Sequence, residues 1–405
     1  MVRNIGHTTI APLGATGGRF ASRWRTGSIA IACGTLVGAA CVAGLPSLVA
    51  GATEVAHGYA ITSSPNVGLA SNSLNSVSCA ATSFCAAAGY YLTSTTQEPL
   101  IETRIGSSWG VSKTPNDGSQ RSDLLGISCP SPKACVAVGL KVAGNVDRTL
   151  IERWNGKTWS IVQSPNKGSG NNDLYAVSCS STTSCVAVGK ATSSADRTLV
   201  ETWHGAKWSV TTSPNANAKS NILYGVSCAV ATTNCWAVGI ASAGAIYHNL
   251  AMEWKAKAWV IVAMPNVGTS SNELNAVSCT SAAFCEAAGF DVSKYTKVVL
   301  VERWSGFAWA VVHTSSLGRN SAEFKAISCF KKSLCEGVGE YSVAYPSRSL
   351  IERWTGAAWV LVGTPNVGSD GNYLLGESCS SVTTCVATGT EGKPTSARTL
   401  VLTGH

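Results

Sequence analysis

The sequence predicts an all-β fold, a seven-bladed β-propeller with four antiparallel strands in each blade. Three observations carry that expectation. A unit of about fifty residues recurs: Pro-Asn pairs begin at Pro65, Pro115, Pro165, Pro214, Pro265 and Pro365, with Ser315-Ser316 in the remaining place, so the spacing is 49–51 residues. A period of that size marks a propeller or a solenoid. Inside the unit the apolar residues alternate with a period of two, and Gly, Asn, Ser and Pro punctuate four short runs, which is strand patterning. Finally, the two ends complement one another. The chain closes on Thr399-Leu400-Val401-Leu402-Thr403-Gly404-His405, a third strand with no fourth, whereas Tyr59-Ala60-Ile61-Thr62-Ser63-Ser64-Pro65-Asn66 matches the fourth-strand segment Trp159–Asn166. Residues 58–65 are therefore expected to complete the last blade. Closure removes the bare strand edges that an open array would expose.

Within the unit Asp173–Asn215, strand one is expected over Leu174–Cys179, strand two over Cys185–Gly189, strand three over Thr198–Trp203 and strand four over Trp208–Ser213. The small Ala187 between Val186 and Val188 suits a sheet covered on both faces. The turn between strands three and four reads Gly-x-x-Trp, as at Gly156 and Trp159, Gly205 and Trp208, and Gly356 and Trp359.

Each unit also carries one cysteine pair: Cys79 and Cys85, Cys129 and Cys135, Cys179 and Cys185, Cys228 and Cys235, Cys279 and Cys285, Cys329 and Cys335, Cys379 and Cys385. The pairs fall where strand one ends and strand two begins. Facing positions across an antiparallel hairpin lie within disulfide reach. Zinc ligands would be spaced two to four apart and would need partner pairs, so no metal is expected. An even count in an exported chain favours disulfides, each closing a short loop worth about 2 kcal/mol.

Those cysteines place the chain in an oxidising compartment, and the leader agrees. Residues 1–28 are basic without an acid, Ser28–Ala50 is an apolar run interrupted by Pro46, and Ala50-Gly51-Ala52 is a small-x-small cleavage pattern. Residues 1–52 read as a signal peptide, or as an N-terminal membrane anchor if uncleaved, with 53–405 as the propeller. Lipidation at Cys41 is a third option that the preceding Gly38-Ala39-Ala40 does not favour, and Cys33 lies in the same run. The expected location is secreted or extracellular. The formal charge of +8 includes Arg3, Arg19, Arg23 and Arg25 of the leader; 30 basic residues less these four leaves 26 against 22 acidic ones, or +4. With no basic block interleaved with aromatics, nucleic acid is not an expected partner.

The tail Gly156-Lys157-Thr158-Trp159 resembles the Asp-box of BNR-type propellers, which occupies the same turn. The full set of Val-Ser-Cys, Cys-x-Ala-Val-Gly, Leu-Ile-Glu-Arg-Trp and Ser-Pro-Asn is similar to repeat arrays of secreted bacterial proteins. Where an Asp-box carries its Asp, this chain has Trp154, Trp203, Trp254, Trp304 or Trp354. The resemblance implies a propeller and brings no activity with it.

Functional residues are sought where the repeat breaks. The strand-three acids Glu102, Glu152, Glu201, Glu302 and Glu352 recur five times, with Met252 and Leu402 in the other copies, which suits a structural hydrogen bond rather than a catalyst. The strand-three and strand-four tryptophans read as packing between blades. The segments Gly89–Glu98, Gly239–His248, Gly289–Lys297 and Gly339–Arg348 vary most and are expected to form loops on one face of the disc. They carry Tyr90, Tyr91, Tyr247, Phe290, Tyr295, Tyr341 and Tyr345, the expected binding residues for a glycan or a cell-surface protein. The acids Asp123, Asp173, Glu273 and Glu323, near Asn72, Asn172, Asn221, Asn272 and Asn372, could ring the channel mouth around a cation, or could simply be Asx turns. Glu377, which stands where other copies have Val or Ile, joins Asp291, Glu340 and Glu391 as the candidates for an alternative carbohydrate-active enzyme, a glycosidase or lyase; such an enzyme would gather two acids within about 5–10 Å. The six histidines show no ligand spacing, and phosphate-loop and serine-nucleophile motifs are absent, so no catalytic residue and no cofactor is expected. The binding protein is expected to be a monomer.

Overall fold

A computed structural model describes residues 58–115, 118–229, 234–315, 317, 320–342 and 345–404. The leader expected over residues 1–52, with Cys33 and Cys41, lies outside the described residues, as does Ser316. The described strands form seven four-stranded antiparallel sheets, each with its strands in sequence order, except that the last sheet takes its outermost strand, Tyr59–Ile61, from the other end of the chain. Tyr59 pairs with Gly404, Ala60 with Thr403 and Ile61 with Leu402. The Pro-Asn asparagine then fastens the outer strand to strand three. Asn66 Oδ1 accepts the Thr399 N–H at 2.9 Å, as Asn166 does from Thr149 at 3.1 Å and Asn215 from Thr198 at 3.0 Å. The closing segment thus makes the same contact as its continuous counterparts.

In blade 3 the strands are Asn172–Ser181, Ser184–Thr192, Asp196–Trp203 and Trp208–Val210. The first three run further than their apolar cores suggest. The fourth is shorter than expected, because Pro214 lacks an N–H and the Ser213 hydroxyl bonds the Thr198 side chain instead. The variable segments are likewise mostly strand: the second and third strands of blade 5 run Phe284–Ser293 and Thr296–Trp304, leaving two residues for the turn. The aromatic alternation of those stretches continues the ladder.

The core lies between blades rather than inside them. Val136, Val138 and Ile151 of blade 2 pack with Leu174, Val177, Leu199, Trp203 and Trp208 of blade 3, and Tyr59 fills the corresponding position with Val338, Ile351 and Leu374. All seven cysteine pairs are disulfides, with Cα atoms 3.9–4.0 Å apart.

Each disulfide stays within its blade, but the serine before each first cysteine does not. Ser78, Ser128, Ser178, Ser227, Ser278 and Ser328 accept the N–H of Cys129, Cys179, Cys228, Cys279, Cys329 and Cys379 of the following blade at 2.9–3.0 Å. Ser378 accepts from Cys79 at 2.9 Å and completes the circle. The innermost strands therefore touch directly, and only small residues fit two positions upstream of this serine. A Cβ on Gly376 would lie 2.7 Å from the Ser76 Cα, and one on Gly126 would lie 2.9 Å from the Ala176 Cα.

Candidate functional site

Strand one of every blade is interrupted at the same place. The ladder slips between Leu74 and Ser76, Leu124 and Gly126, Leu174 and Ala176, Leu223 and Gly225, Leu274 and Ala276, Phe324 and Ala326, and Leu374 and Gly376. Each slip is a β-bulge holding one extra residue, a device that re-aims a side chain. Those seven residues, Asn75, Leu125, Tyr175, Tyr224, Asn275, Lys325 and Leu375, are all half-buried and follow no common chemistry. Asn75, Tyr175 and Asn275 turn toward the inner strand of the next blade, while Lys325 pairs with Glu323 of its own strand. Asn75 Nδ2 donates to Asp123 and to the Leu124 carbonyl, both at 2.9 Å, Asn275 Nδ2 donates to the Phe324 carbonyl at 2.7 Å, and the Tyr175 and Tyr224 rings stand 5.4 Å apart. They form the inner tier of a channel mouth on the face of the 2–3 hairpins. Sequence reading missed this ring; the signal was one residue of unrelated type per copy, set two places after the acid or its substitute.

Charges around the mouth meet in clusters of three. Lys190 Nζ stands 3.8 Å from Asp173 and 3.5 Å from Asp196, and Glu323 accepts from both Lys297 and Lys325 at 2.9 Å. Burial raises the Glu323 carboxyl, but the two ammonium groups outweigh it and hold the acid below its ordinary value. Burial pushes Asp123 up to about 7, with Arg121 opposing, and Asp173 up to about 6, with Lys190 opposing. Asp123, Asp173 and Glu323 are thus engaged by side chains, and burial raises Glu273 with Lys325 opposing. The asparagines beside them clasp the loop that precedes them, with bonds that run upstream rather than forward as in an Asx turn. Asn172 Oδ1 accepts the Lys167 N–H at 2.8 Å while its Nδ2 donates to the Gly170 carbonyl at 2.8 Å, and Asn72, Asn221, Asn272 and Asn372 repeat the pattern.

The seven loop aromatics separate into two groups. Phe290 is buried under the Lys297 ammonium, 4.2 Å from its ring centre. Tyr91 and Tyr341 pack against blade cores, and Tyr90 is half-buried, its hydroxyl pKa raised by burial and by Asp123. Tyr247, Tyr295 and Tyr345 are 42, 95 and 75% exposed, on three consecutive blades. Tyr295 also sits with Lys294 in a two-residue turn at φ values of 73° and 47°, a conformation that ordinarily calls for Gly or Asn. The hairpin tips of blades 1–3, around Thr93–Thr96, Gly144-Asn145 and Ser193–Ala195, carry no aromatic.

The acid candidates meet different neighbours. Glu340 faces Glu323, Lys325 and Lys297, Glu391 faces Arg398 and Asp370, and Glu377 faces Glu336 and Arg353; burial raises all three, and Asp291 as well. The recurring strand-three glutamates are fully buried between blades and accept from the preceding blade: Glu102 from Ser64 at 2.6 Å, Glu201 from Ser164 at 2.9 Å, Glu302 from Asn249 at 2.7 Å and Glu352 from the Ser315 N–H at 2.9 Å. Glu336, Glu377, Cys379 and Cys385 cluster within 4.8 Å, but the two sulfurs are joined in a disulfide and cannot serve as thiolate ligands.

No family model matches the chain, so the Asp-box resemblance is not supported at the level of a family. No curated protein matches it either. Among solved structures it is similar to YCF48 bound to a D1 peptide, at 12% identity over 85% of this chain and 96% of that one, with a TM-score of 0.49. It is also similar to the six-bladed fungal lectin of Aleuria aurantia, at 14% identity over 72% of this chain and 97% of that one, with a TM-score of 0.44. A mutant of that lectin in complex with α-methyl-L-fucoside gives 13% identity over 76% and 98%, with a TM-score of 0.45. At that distance the likenesses carry no functional information.

Proposed function

We propose that this is an exported binding propeller that holds a glycan on the face of the 2–3 hairpins, over blades 4–6. The observation that carries the reading is the run of Tyr247, Tyr295 and Tyr345, exposed on consecutive blades while their counterparts on blades 1–3 are small and polar. Exposed tyrosine rings offer a flat apolar face with a polar tip, which suits the C–H face and hydroxyls of a pyranose. Variable segments on a rigid scaffold are where specificity is placed. The paired charges at the mouth, Lys190 with Asp173 and Lys297 and Lys325 with Glu323, present fixed donors and acceptors without a net field of one sign. That arrangement favours a neutral polyhydroxylated ligand over a polyanion. The seven disulfides fit an extracellular or periplasmic setting.

The test is a glycan array probed with the disulfide-intact protein beside a Tyr295→Ala/Tyr345→Ala double variant. A class of glycan retained by the parent protein and lost by the variant supports the reading. Retention of no glycan by the parent protein sinks it, as does equal retention by both proteins.

A further inference from the structure

The ring has one seam, and the single departure from the strand-one pattern lies on it. Where the other blades place Val77, Ile127, Val177, Val226, Val277 and Ile327, blade 7 has Glu377. Its side chain is buried against blade 6, and three polar groups meet it there. Glu336, fully buried on strand two of blade 6, is paired with Arg353 on strand three at 2.5 Å. Tyr59, the first residue of the closing strand, donates its hydroxyl to the second oxygen of Glu336. The same hydroxyl oxygen lies 3.4 Å from Glu377 Oε1. Glu377 Oε2 has no hydrogen-bond partner.

Tyr59 reaches this site because Gly404 stands opposite it. In five of the other six blades the equivalent position holds a tryptophan, such as Trp203 opposite Trp208, and in blade 1 it holds Arg104, whereas a Cβ at Gly404 would come within 2.9 Å of the Tyr59 ring. The seam therefore exchanges a tryptophan pair for a phenol aimed at two carboxyls.

Proton accounting makes the arrangement conditional. The site holds two carboxyls, one guanidinium and one phenol, and the phenol has a single proton. Arg353 and that proton both go to Glu336. An ionised Glu377 would face a second carboxylate in a buried site with no donor of its own, which is strongly unfavourable. A protonated Glu377 can instead donate to the free lone pair of the Tyr59 oxygen. The chain then runs from Glu377 through Tyr59 to Glu336 and Arg353, with each hydroxyl proton matched to an acceptor.

We infer that Glu377, Tyr59 and Glu336 form a proton-dependent latch on the ring seam, closed while Glu377 carries its proton and loosened when it is lost. The charged and titratable groups facing Glu377 are Glu336, Arg353 and Tyr59, and its carboxyl is raised first by burial and then by Glu336. Because the folded value lies above the ordinary glutamate value, the latch contributes fully at acid pH. That contribution falls as pH rises from the ordinary value towards the folded one. The element released is the closing strand, only three residues long, whose segment is otherwise tied by side chains through Thr62 to Thr403 at 2.8 Å, Ser64 to Thr399 at 2.9 Å, Ser64 to Glu102 and Asn66 to the Thr399 N–H at 2.9 Å. Opening would bare the edge of strand three in blade 7, a surface able to accept another strand.

Hydrogen exchange tests this with an internal control. The amides of residues 58–66 are compared with those of residues 158–166, the equivalent segment of blade 2, in the same molecule from pH 5 to 9. Taking the ratio cancels the intrinsic pH dependence of exchange. The ratio is expected to climb by up to about tenfold per pH unit within the titration window, and to stay flat in Glu377→Gln. Glu377→Val, which restores the aliphatic of the other blades, serves with the same expectation if Glu377→Gln fails to fold. A flat ratio in the parent protein overturns the latch, as does an equal climb in the variants.

Discussion

The two faces of the disc are made from the same repeats and have opposite characters. On one, seven disulfide hairpins and six tight turns between strands three and four recur almost unchanged, and the serine before each first cysteine joins its blade to the next. On the other, the 2–3 hairpins and the strand-one bulges differ from blade to blade. The polypeptide crosses each sheet four times, so both characters come from one fifty-residue unit, separated only by which ends of the strands the residues occupy. The difference teaches that repetition here marks load shared round the ring, and that departures mark places free to specialise. Mutations on the two faces should therefore read out differently, one in stability and the other in binding.

The largest effect expected is of pH on the repeated interior. Burial pushes Glu201 and Glu302 to about 8 and Glu102 to about 7, against single hydroxyl or amide donors. Glu286 is likewise pushed to about 7, with Arg303 opposing. The native state thus holds protons that the unfolded chain has released, so stability should be highest near pH 4–5 and fall steadily to about pH 8. Denaturant melts across that range measure it, and Glu201→Gln should flatten the slope. A stability that rises with pH would show that these carboxyls are ionised in the fold. Next in size is the pair Cys179→Ser with Cys185→Ser, expected to cost about 2 kcal/mol in a denaturant melt. Glycan retention should not change, because this hairpin lies on the opposite face.

Much of this architecture was legible in the residues. The strand count, the closing strand and the cysteine pairing follow from a period, an alternation and a missing fourth strand, all of which are local patterns. The structural role of the recurring glutamate was legible too, since recurrence itself argues against catalysis. Three things were not. The bulge at Asn75, Tyr175 and Lys325 turns two successive residues to one side, and strict alternation cannot announce that. The meeting of Glu377 with Glu336 and Tyr59 joins residues from two blades and both ends of the chain. And the extension of strands two and three hid which loop aromatics are anchors, so Phe290 and Tyr295 looked alike in sequence although one is buried and the other bare.

Smaller effects separate the two faces more finely. Ser178→Ala removes one of the seven links between inner strands and leaves the Cys228 N–H without its acceptor, so a loss of about 1 kcal/mol is expected. An unchanged melt would mean that water replaces the hydroxyl and that the circle of serines is not shared load.

The finest test is Tyr295→Gly. Tyr295 holds a φ of 73° at the tip of its hairpin, with its ring almost fully exposed, so nothing in the fold repays the strain. Glycine adopts that conformation without a Cβ penalty, and the hairpin should gain stability by about 1 kcal/mol or less. If the ring is there for a ligand, the same substitution should weaken glycan retention, and the two readings should move in opposite directions. A thermal melt and a binding titration on one protein sample measure both. A variant that is more stable and binds as well as the parent protein would show that the strained tyrosine is not part of the binding face, and would shift the site inward to the bulge residues Tyr175 and Tyr224.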